Sequence, residues 1–285
     1  MIMHTMRLLA ISDLHLSNPI NFEAFMKLGY FPDDWLILAG DIAERPNLLE
    51  IAFAETTRRF KQVIWVPGNH ELWSIPDLDS DTPPLAGEPR YRHLVALARQ
   101  YGVLTPEDPY PHWPGDPGLH SSGEPIVIAP LFLLYDYSFG PTGLSVKEMV
   151  AWAREENSVA ADETLLSPEP YASPQAWCAE RCRYSEHRLA ELGSQVPKVL
   201  INHFPLRHDL IYIPRIPRFI PWCGTRMTED WHTRFNAAVV VSGHLHVRRT
   251  DWRDGTRFEE VSLGYPAQWD QNKGMEPLLR EILPG

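Results

Sequence analysis

The sequence predicts a layered α/β fold, and three observations carry that expectation. Short aliphatic runs alternate with longer amphipathic stretches through the first half, which is the rhythm of strand, helix, strand. Each apolar run gives way to a polar loop, several of them bearing glycine, and the chain is 44% apolar and 22% charged over 285 residues, as a packed core requires. No linker divides it, so residues 1–285 are expected to form a single domain.

Taken in order, Arg7 to Ser12, Trp35 to Ala39 and Gln62 to Val66 predict buried strands, with helices between them at Asn21 to Leu28 and Pro46 to Phe60. Pro46 suits a first helical turn, where its missing N–H is not needed. Further strands are expected at Ile126 to Ala129, Leu131 to Tyr135, Lys198 to Asn202 and Ala237 to Ser242. Asp254-Gly255 predicts a hairpin turn joining Arg248 to Trp252 with Arg257 to Ser262. Three Pro-punctuated stretches interrupt the rhythm. Thr105 to Pro125 and Ser167 to Pro174 are expected as surface excursions, and residues 204–231 as a substrate-facing insert, since long loops in a compact domain usually serve a site.

Composition excludes several classes of function. A net charge of -11 repels nucleic acid and anionic membranes, which disfavours both as partners. The longest near-continuous apolar run, Ile126 to Tyr135, is broken by Pro130 and falls short of the roughly 18 residues that suggest a spanning helix. Met1 to Met6 carry no basic cluster and Leu8 to Ile11 is too short for a signal segment, so a cytoplasmic location is expected. The 3 Cys are odd in number; Cys178 and Cys182, four apart on a helix, suit reduced structural thiols, and Cys223 has no assigned role.

The chemistry lies where the strands end. Asp13-Leu14-His15 follows the first strand, Gly40-Asp41 the second and Gly68-Asn69-His70-Glu71 the third. Asn202-His203 follows the Lys198 strand, and Gly243-His244-Leu245-His246 the Ala237 to Ser242 strand. Ligands of open α/β sheets bind beyond the carboxyl ends of strands, so these five loops should converge. Asp-x-His or Gly-Asp alone would be an ordinary helix cap or turn. Gly-Asn-His-[Asp/Glu], by contrast, is expected by chance about once in several hundred chains of this size, and Gly-His-x-His about once in a hundred. Imidazole, carboxylate and amide oxygen together suit divalent transition metals, and the absence of thiolate argues against a closed structural zinc site.

In these blocks the chain resembles the calcineurin-like metallophosphoesterase superfamily, whose pattern runs D-x-H, G-D, G-N-H-[D/E], H, G-H-x-H. The resemblance implies a four-layer α/β fold, a two-sheet β-sandwich flanked by helices, with a dinuclear metal site. It implies that Asp13, His15, Asp41 and His246 hold one metal and Asp41, Asn69, His203 and His244 the other. His70 would be the catalytic acid or electrostatic stabiliser beside the phosphate, and Glu71 a hydrogen-bonding support of its loop. Two such cations activate water and clamp phosphate oxygens, which implies a phosphoesterase. The uninterrupted G-N-H-E and G-H-L-H blocks resemble the phosphodiesterase branches, so a phosphodiesterase is expected, with manganese or iron favoured and zinc admitted.

Substrate is less directly encoded. Gly40 to Pro46 reads G-D-I-A-E-R-P, which only partly matches the G-D-x-x-D-R-G of Ser/Thr protein phosphatases. The second half, including Trp222-Cys223-Gly224-Thr225 and Gly264-Tyr265-Pro266, is similar to the actinobacterial phosphopantetheinyl hydrolases. That branch implies the 4′-phosphopantetheine-serine diester of an acyl carrier protein as substrate. Cyclic-nucleotide or other small phosphodiesters are the alternative, then phosphoproteins, and a non-catalytic scaffold of the same fold is the competing class. Arg207, Arg215, Arg218 and Arg226 lie near one another in the insert and are expected to meet an acidic partner.

Overall fold

Apolar runs without polar alternation need both faces of a strand covered. The computed structural model, which describes residues 5–76, 83–116 and 125–284, covers them with two stacked sheets and outer helices. In chain order the elements are β1 Leu8–Ile11, α1 Pro19–Met26, β2 Phe31–Leu38, α2 Pro46–Arg59, β3 Phe60–Trp65, α3 Asn69–Leu72 and α4 Gly87–Gln100. There follow β4 Val127–Pro130, α5 Val146–Arg154, α6 Asp162–Leu165, α7 Pro174–Glu191, β5 Lys198–Ile201, α8 Trp231–Arg234, β6 Ala237–Ser242, β7 Arg249–Arg253, β8 Thr256–Glu260 and β9 Arg280–Leu283.

One sheet runs β3-β2-β1-β9 and the other β4-β5-β6-β8-β7. Parallel pairing joins β1, β2 and β3, and likewise β4, β5, β6 and β8, while β9 and β7 close their edges antiparallel. Alternate residues divide the core. Leu8, Ala10, Ile37, Ile64, Val199, Ile201, Val239 and Val241 pack between the sheets. Leu9, Ile11, Leu36, Leu38, Val63, Leu200 and Val240 face outward, onto a second core that includes Phe53 of α2, Trp177 of α7 and Trp231 of α8. Period-two packing on both faces is why these strands read as unbroken apolar runs.

The Asp254-Gly255 hairpin forms as expected, with φ of 51° and 82° and Trp252 opposite Arg257. Leu131 to Tyr135 does not form the expected strand. It follows Pro130, at the end of β4; Leu131 N–H donates to Ile201 O at 2.7 Å and Leu133 N–H to the Asn202 side chain at 2.9 Å. A side chain there takes the place of a ladder partner. Thr105 to Pro125 is not a simple surface excursion either, although its residues 117–124 lie outside the described residues. Trp113 is buried between the sheets and meets Trp35 edge-on, ring centroids 5.5 Å apart. Met1 to His4, part of the opening segment, also lie outside the description. Strand β9 and helices α4 and α5 carried no sequence expectation; β9 is only four residues long and gains its place by pairing with β1.

Candidate metal centre

All the motif loops leave the carboxyl ends of β1, β2, β3, β5 and β6 at one end of the stacked sheets. They hold each other by backbone hydrogen bonds: Asp13 N–H to Gly40 O at 2.9 Å, His15 N–H to Asp41 O at 3.1 Å, and Gly243 N–H to His203 O at 2.9 Å. The turns are sharp. Asp13, His15, Asp41, His244 and His246 all have left-handed backbones, with φ of 53°, 43°, 54°, 72° and 53°. Such conformations cost of order 1–3 kcal/mol each for residues with a Cβ, and cluster where a site demands them. Gly40 at φ 89° is packed so closely that a Cβ would lie 2.6 Å from His203 Nδ1, and at Gly243 a Cβ would collide with Ser12 and Asp13.

The structure gathers six of the seven predicted ligand residues into two groups, which a third group of His15, Asp41 and His70 links; Asn69 lines the same hollow. Asp13, His15 and His246 form one, with His246 Nε2 3.0 Å from Asp13 Oδ1 and 3.2 Å from His15 Nε2. Asp41, His203 and His244 form the other, with His203 Nε2 3.3 Å from Asp41 Oδ2. Asn69 Nδ2 donates to Asp162 Oδ1 at 2.9 Å, which leaves its buried Oδ1 without a partner. His15 Nδ1 and His244 Nε2 are likewise buried without a hydrogen bond. Buried polar atoms are normally satisfied, so three such orphans on ligand-type groups in one hollow fit the dinuclear metal centre that the sequence implies.

Neighbouring groups orient the candidate ligands. His203 Nδ1 faces Ala39 O at 2.9 Å and His246 Nδ1 faces Gln268 Oε1 at 2.9 Å, which turns each Nε2 inward. Asp13 Oδ2 accepts hydrogen bonds from Ser12 and Ser262 at 2.5 and 2.7 Å. Glu71 accepts from the backbone N–H groups of Asp41, Ile42 and Gly68 at 2.9, 2.6 and 2.8 Å, so it braces two loops. Burial pushes the Glu71 carboxyl up to about 7, with Asp41 adding to the effect.

Charge is crowded here. Burial opposes ionisation of Asp41, yet His203 and His70 hold its carboxyl well below the usual carboxylate range. Burial likewise opposes charge on His203, but Asp41 and Asp13 outweigh it and raise the imidazole to about 10. His244, pushed by burial down to about 3 with positive His203 beside it, stays neutral. A cation entering the hollow competes with the protons the carboxylates attract.

His70 sits at the rim. Its Nδ1 is 2.9 Å from Glu44 Oε1, its Nε2 is 3.7 Å from Asp41 Oδ2, and Trp73 packs on its ring at 3.7 Å between centroids. Burial lowers its affinity for a proton, but Asp41 and Glu44 more than reverse that, and its pKa is raised. His70 also falls in a third group with His15 and Asp41, so geometry admits it as a ligand too.

The candidate centre opens into a cleft of about 860 Å³. Asp41, Asn69, His70, His244 and His246 line it with polar groups, and Ile213, Ile216, Phe219 and Leu245 give it an apolar wall. That wall comes largely from the 204–231 segment. Its arginines are not one patch. Arg215 lines the cleft, whereas Arg207 pairs with Asp209 at 2.8 Å, Arg218 with Glu155 and Glu156 at 2.6 and 3.1 Å, and Arg226 with Glu229 at 3.1 Å. Counting charge from Arg207 to Arg226 missed Glu229, three residues on, and Glu155 and Glu156, which folding brings alongside. Sequence reasoning also missed Glu44, Asp162, Gln268 and Tyr265 as site neighbours; Tyr265 stacks on His15 at 4.5 Å. Tyr265, within Gly264-Tyr265-Pro266, and Glu44, within the Gly40 to Pro46 block, left a signal along the chain; Asp162 and Gln268 left none.

Comparison with known proteins agrees with this geometry. Residues 6–248 match the family model of calcineurin-like phosphoesterases. An [acyl-carrier-protein] phosphodiesterase, PptH, from Mycobacterium tuberculosis is 49% identical over 277 residues, covering 96% of this chain and 82% of that protein. The crystal structure of phosphopantetheinyl hydrolase from the same organism superposes with a TM-score of 0.87 at 47% identity, over 99% of this chain and 97% of the other. A dimetal phosphatase from Danio rerio aligns at a TM-score of 0.43 with 12% identity over 94% of this chain and 90% of that one, too distant to carry any argument. On its motifs, its two stacked sheets and these matches, the chain belongs to the calcineurin-like phosphoesterase family, as a metal-dependent phosphodiesterase.

Proposed function

We propose that the chain hydrolyses the phosphodiester linking 4′-phosphopantetheine to a serine of an acyl carrier protein. The observation that carries this reading is the near full-length similarity to the mycobacterial phosphodiesterase. The cleft supports it: a folded carrier protein cannot enter about 860 Å³, whereas a branched aliphatic arm with its diester can, against the apolar wall of Ile213, Ile216, Phe219 and Leu245. Residues 204–231 then serve as the substrate-facing insert.

Asp13, His15, Asp41 and His246 would hold one cation, and Asp41, Asn69, His203 and His244 the second, with manganese or iron favoured by a mixed N/O set without thiolate. Bound cations would lower the pKa of water and neutralise phosphate charge. His70, whose affinity for a proton burial lowers but Asp41 and Glu44 raise, gives a proton to the leaving oxygen or stabilises the charge there. Arg215, exposed at the cleft and without an ion-pair partner among the described residues, meets the acidic carrier protein. Buried, unpaired Cys178, Cys182 and Cys223 suit a reducing cytoplasm.

The test is release of phosphopantetheine from holo carrier protein by purified enzyme, lost on strong chelation and restored by manganese or iron. Arg215→Glu should weaken that reaction about as added salt does, over a Debye length of about 8–10 Å, while sparing a small aryl diester. Equal loss on both substrates would place Arg215 on the phosphate instead. No release from holo carrier protein alongside good turnover of a cyclic nucleotide would replace the reading with a small-molecule phosphodiesterase.

A further inference from the structure

Asp162, at the start of α6, stands 93 residues beyond Asn69 in sequence, yet its buried carboxylate is the partner of the Asn69 side chain. Its Oδ1 accepts two hydrogen bonds, from Asn69 Nδ2 at 2.9 Å and from Trp73 Nε1 at 2.6 Å. An amide has two ends of similar shape and opposite hydrogen-bonding character. A carboxylate accepts only, so it selects the N–H₂ end of Asn69 and directs the carbonyl oxygen away. That oxygen is the buried, unpartnered Oδ1. The same oxygen of Asp162 fixes the Trp73 indole, whose ring lies against His70 at 3.7 Å. One acceptor thereby sets the orientation of a candidate ligand and of the plate behind the candidate acid.

We infer that Asp162 is a positioning residue: it holds the Asn69 amide with its oxygen turned toward the second cation position and anchors Trp73 against His70. The inference rests on the proposed dinuclear reading of the site. It names a role for a residue in none of the five motif blocks. Without an acceptor at 162 the Asn69 amide is free to turn its N–H₂ inward, where it cannot bind a cation, whereas the ligands of the other position are untouched. Partners behind a metal ligand typically change metal affinity by about 10- to 100-fold when removed.

The experiment is a manganese titration of chelator-stripped protein, read by calorimetry and by metal analysis after gel filtration, on wild type, Asp162→Leu and Asp162→Asn. Two ions bound to wild type is the control for the dinuclear reading itself; a single ion there sinks that reading before the variants are considered. Asp162→Leu should weaken one of the two ions by about 10-fold or more and leave the other within about threefold. Asp162→Asn retains an acceptor oxygen and should restore both. In an Asn69→Asp background, whose carboxylate has no wrong end, Asp162→Leu should cost nothing further. Unchanged affinity at both positions in Asp162→Leu, or equal weakening of both, overturns the assignment. If Asp162→Leu does not fold, Asp162→Asn carries the test: both ions within about threefold of wild type supports it, and loss beyond about tenfold at either overturns it.

Discussion

Two buried polar clusters in this molecule are built on opposite plans. In one, Glu107 Oε1 accepts from Tyr91 and Arg181, both at 2.7 Å, and Oε2 from Arg92 at 2.8 Å, while Arg181 Nε reaches Phe132 O at 3.2 Å. None of its side chains is among the buried groups that lack a partner. In the other, around Asp41, the candidate ligand atoms His15 Nδ1, Asn69 Oδ1 and His244 Nε2 are buried with none, five residues have left-handed backbones, and imidazoles stand against imidazoles. The first cluster is complete within the chain and ties α4, α7 and the segment between α4 and β4 together. The second is satisfied only when something outside the chain supplies positive charge. Unmet polarity, held in place by strained loops, marks the site; the number of buried charges does not.

Substitutions in each cluster sharpen that contrast. The largest effect belongs to Asp41→Ala, which removes the carboxylate proposed to serve both cations. Metal content should fall below about one ion per chain, and turnover by more than the roughly 10²- to 10⁴-fold typical of losing a proton donor. Two ions retained in this variant would show that the two cations do not share Asp41. Next is His70→Ala, for which turnover should drop by about 10²- to 10⁴-fold with both ions kept. An emptied site would make His70 a ligand, as its place beside His15 and Asp41 allows.

The smallest effect on chemistry, and a clear one on stability, is expected in the other cluster. Arg181→Met should cost about 3 kcal/mol, the lower end for breaking a buried ion pair because Arg92 and Tyr91 remain, and leave turnover of the folded protein unchanged. Glu107 gives this cluster a pH signature. Burial works against its charge, yet Arg181, Tyr91 and Arg92 hold its carboxyl at about 2. The folded value lies below the unfolded one of about 4.3, so its contribution is complete above about pH 5, shrinks as the pH falls, and is gone below about 2. Denaturant midpoints of Glu107→Gln should therefore fall less steeply than those of wild type between about pH 5 and 2. An identical acid slope would assign the loss to other carboxylates.

The central strands were legible because both their faces are buried, so each one is a run of apolar residues that no neighbour is needed to recognise. Leu131 to Tyr135 defeated the same reasoning. It is as apolar as a strand, but Leu133 finds the Asn202 side chain where a ladder partner would stand. Strand β9 was invisible for the converse reason, since four residues have too little pattern of their own and β1 supplies the pairing. Trp113, inside a Pro- and Gly-rich stretch, reaches the space between the sheets through a path that composition does not encode.

For the site, the sequence alone named Asp13, His15, Asp41, Asn69, His70, His203, His244 and His246, because the donor chemistry of a metal ligand is carried by its own side chain and four of the five loops carry short recognisable spacings. It could not name the groups that aim those side chains. Asp162 and Gln268, ordinary residues in ordinary contexts, and Glu44 of the Gly40 to Pro46 block are brought to Asn69, His246 and His70 from 93, 22 and 26 positions away. Nor could it separate Arg215 from Arg207, Arg218 and Arg226, because which acid meets which arginine, nearby Asp209 and Glu229 or distant Glu155 and Glu156, is decided by folding. Ligand identity is a property of a residue, whereas orientation and net charge belong to a neighbourhood, and only the tertiary structure assembles that neighbourhood.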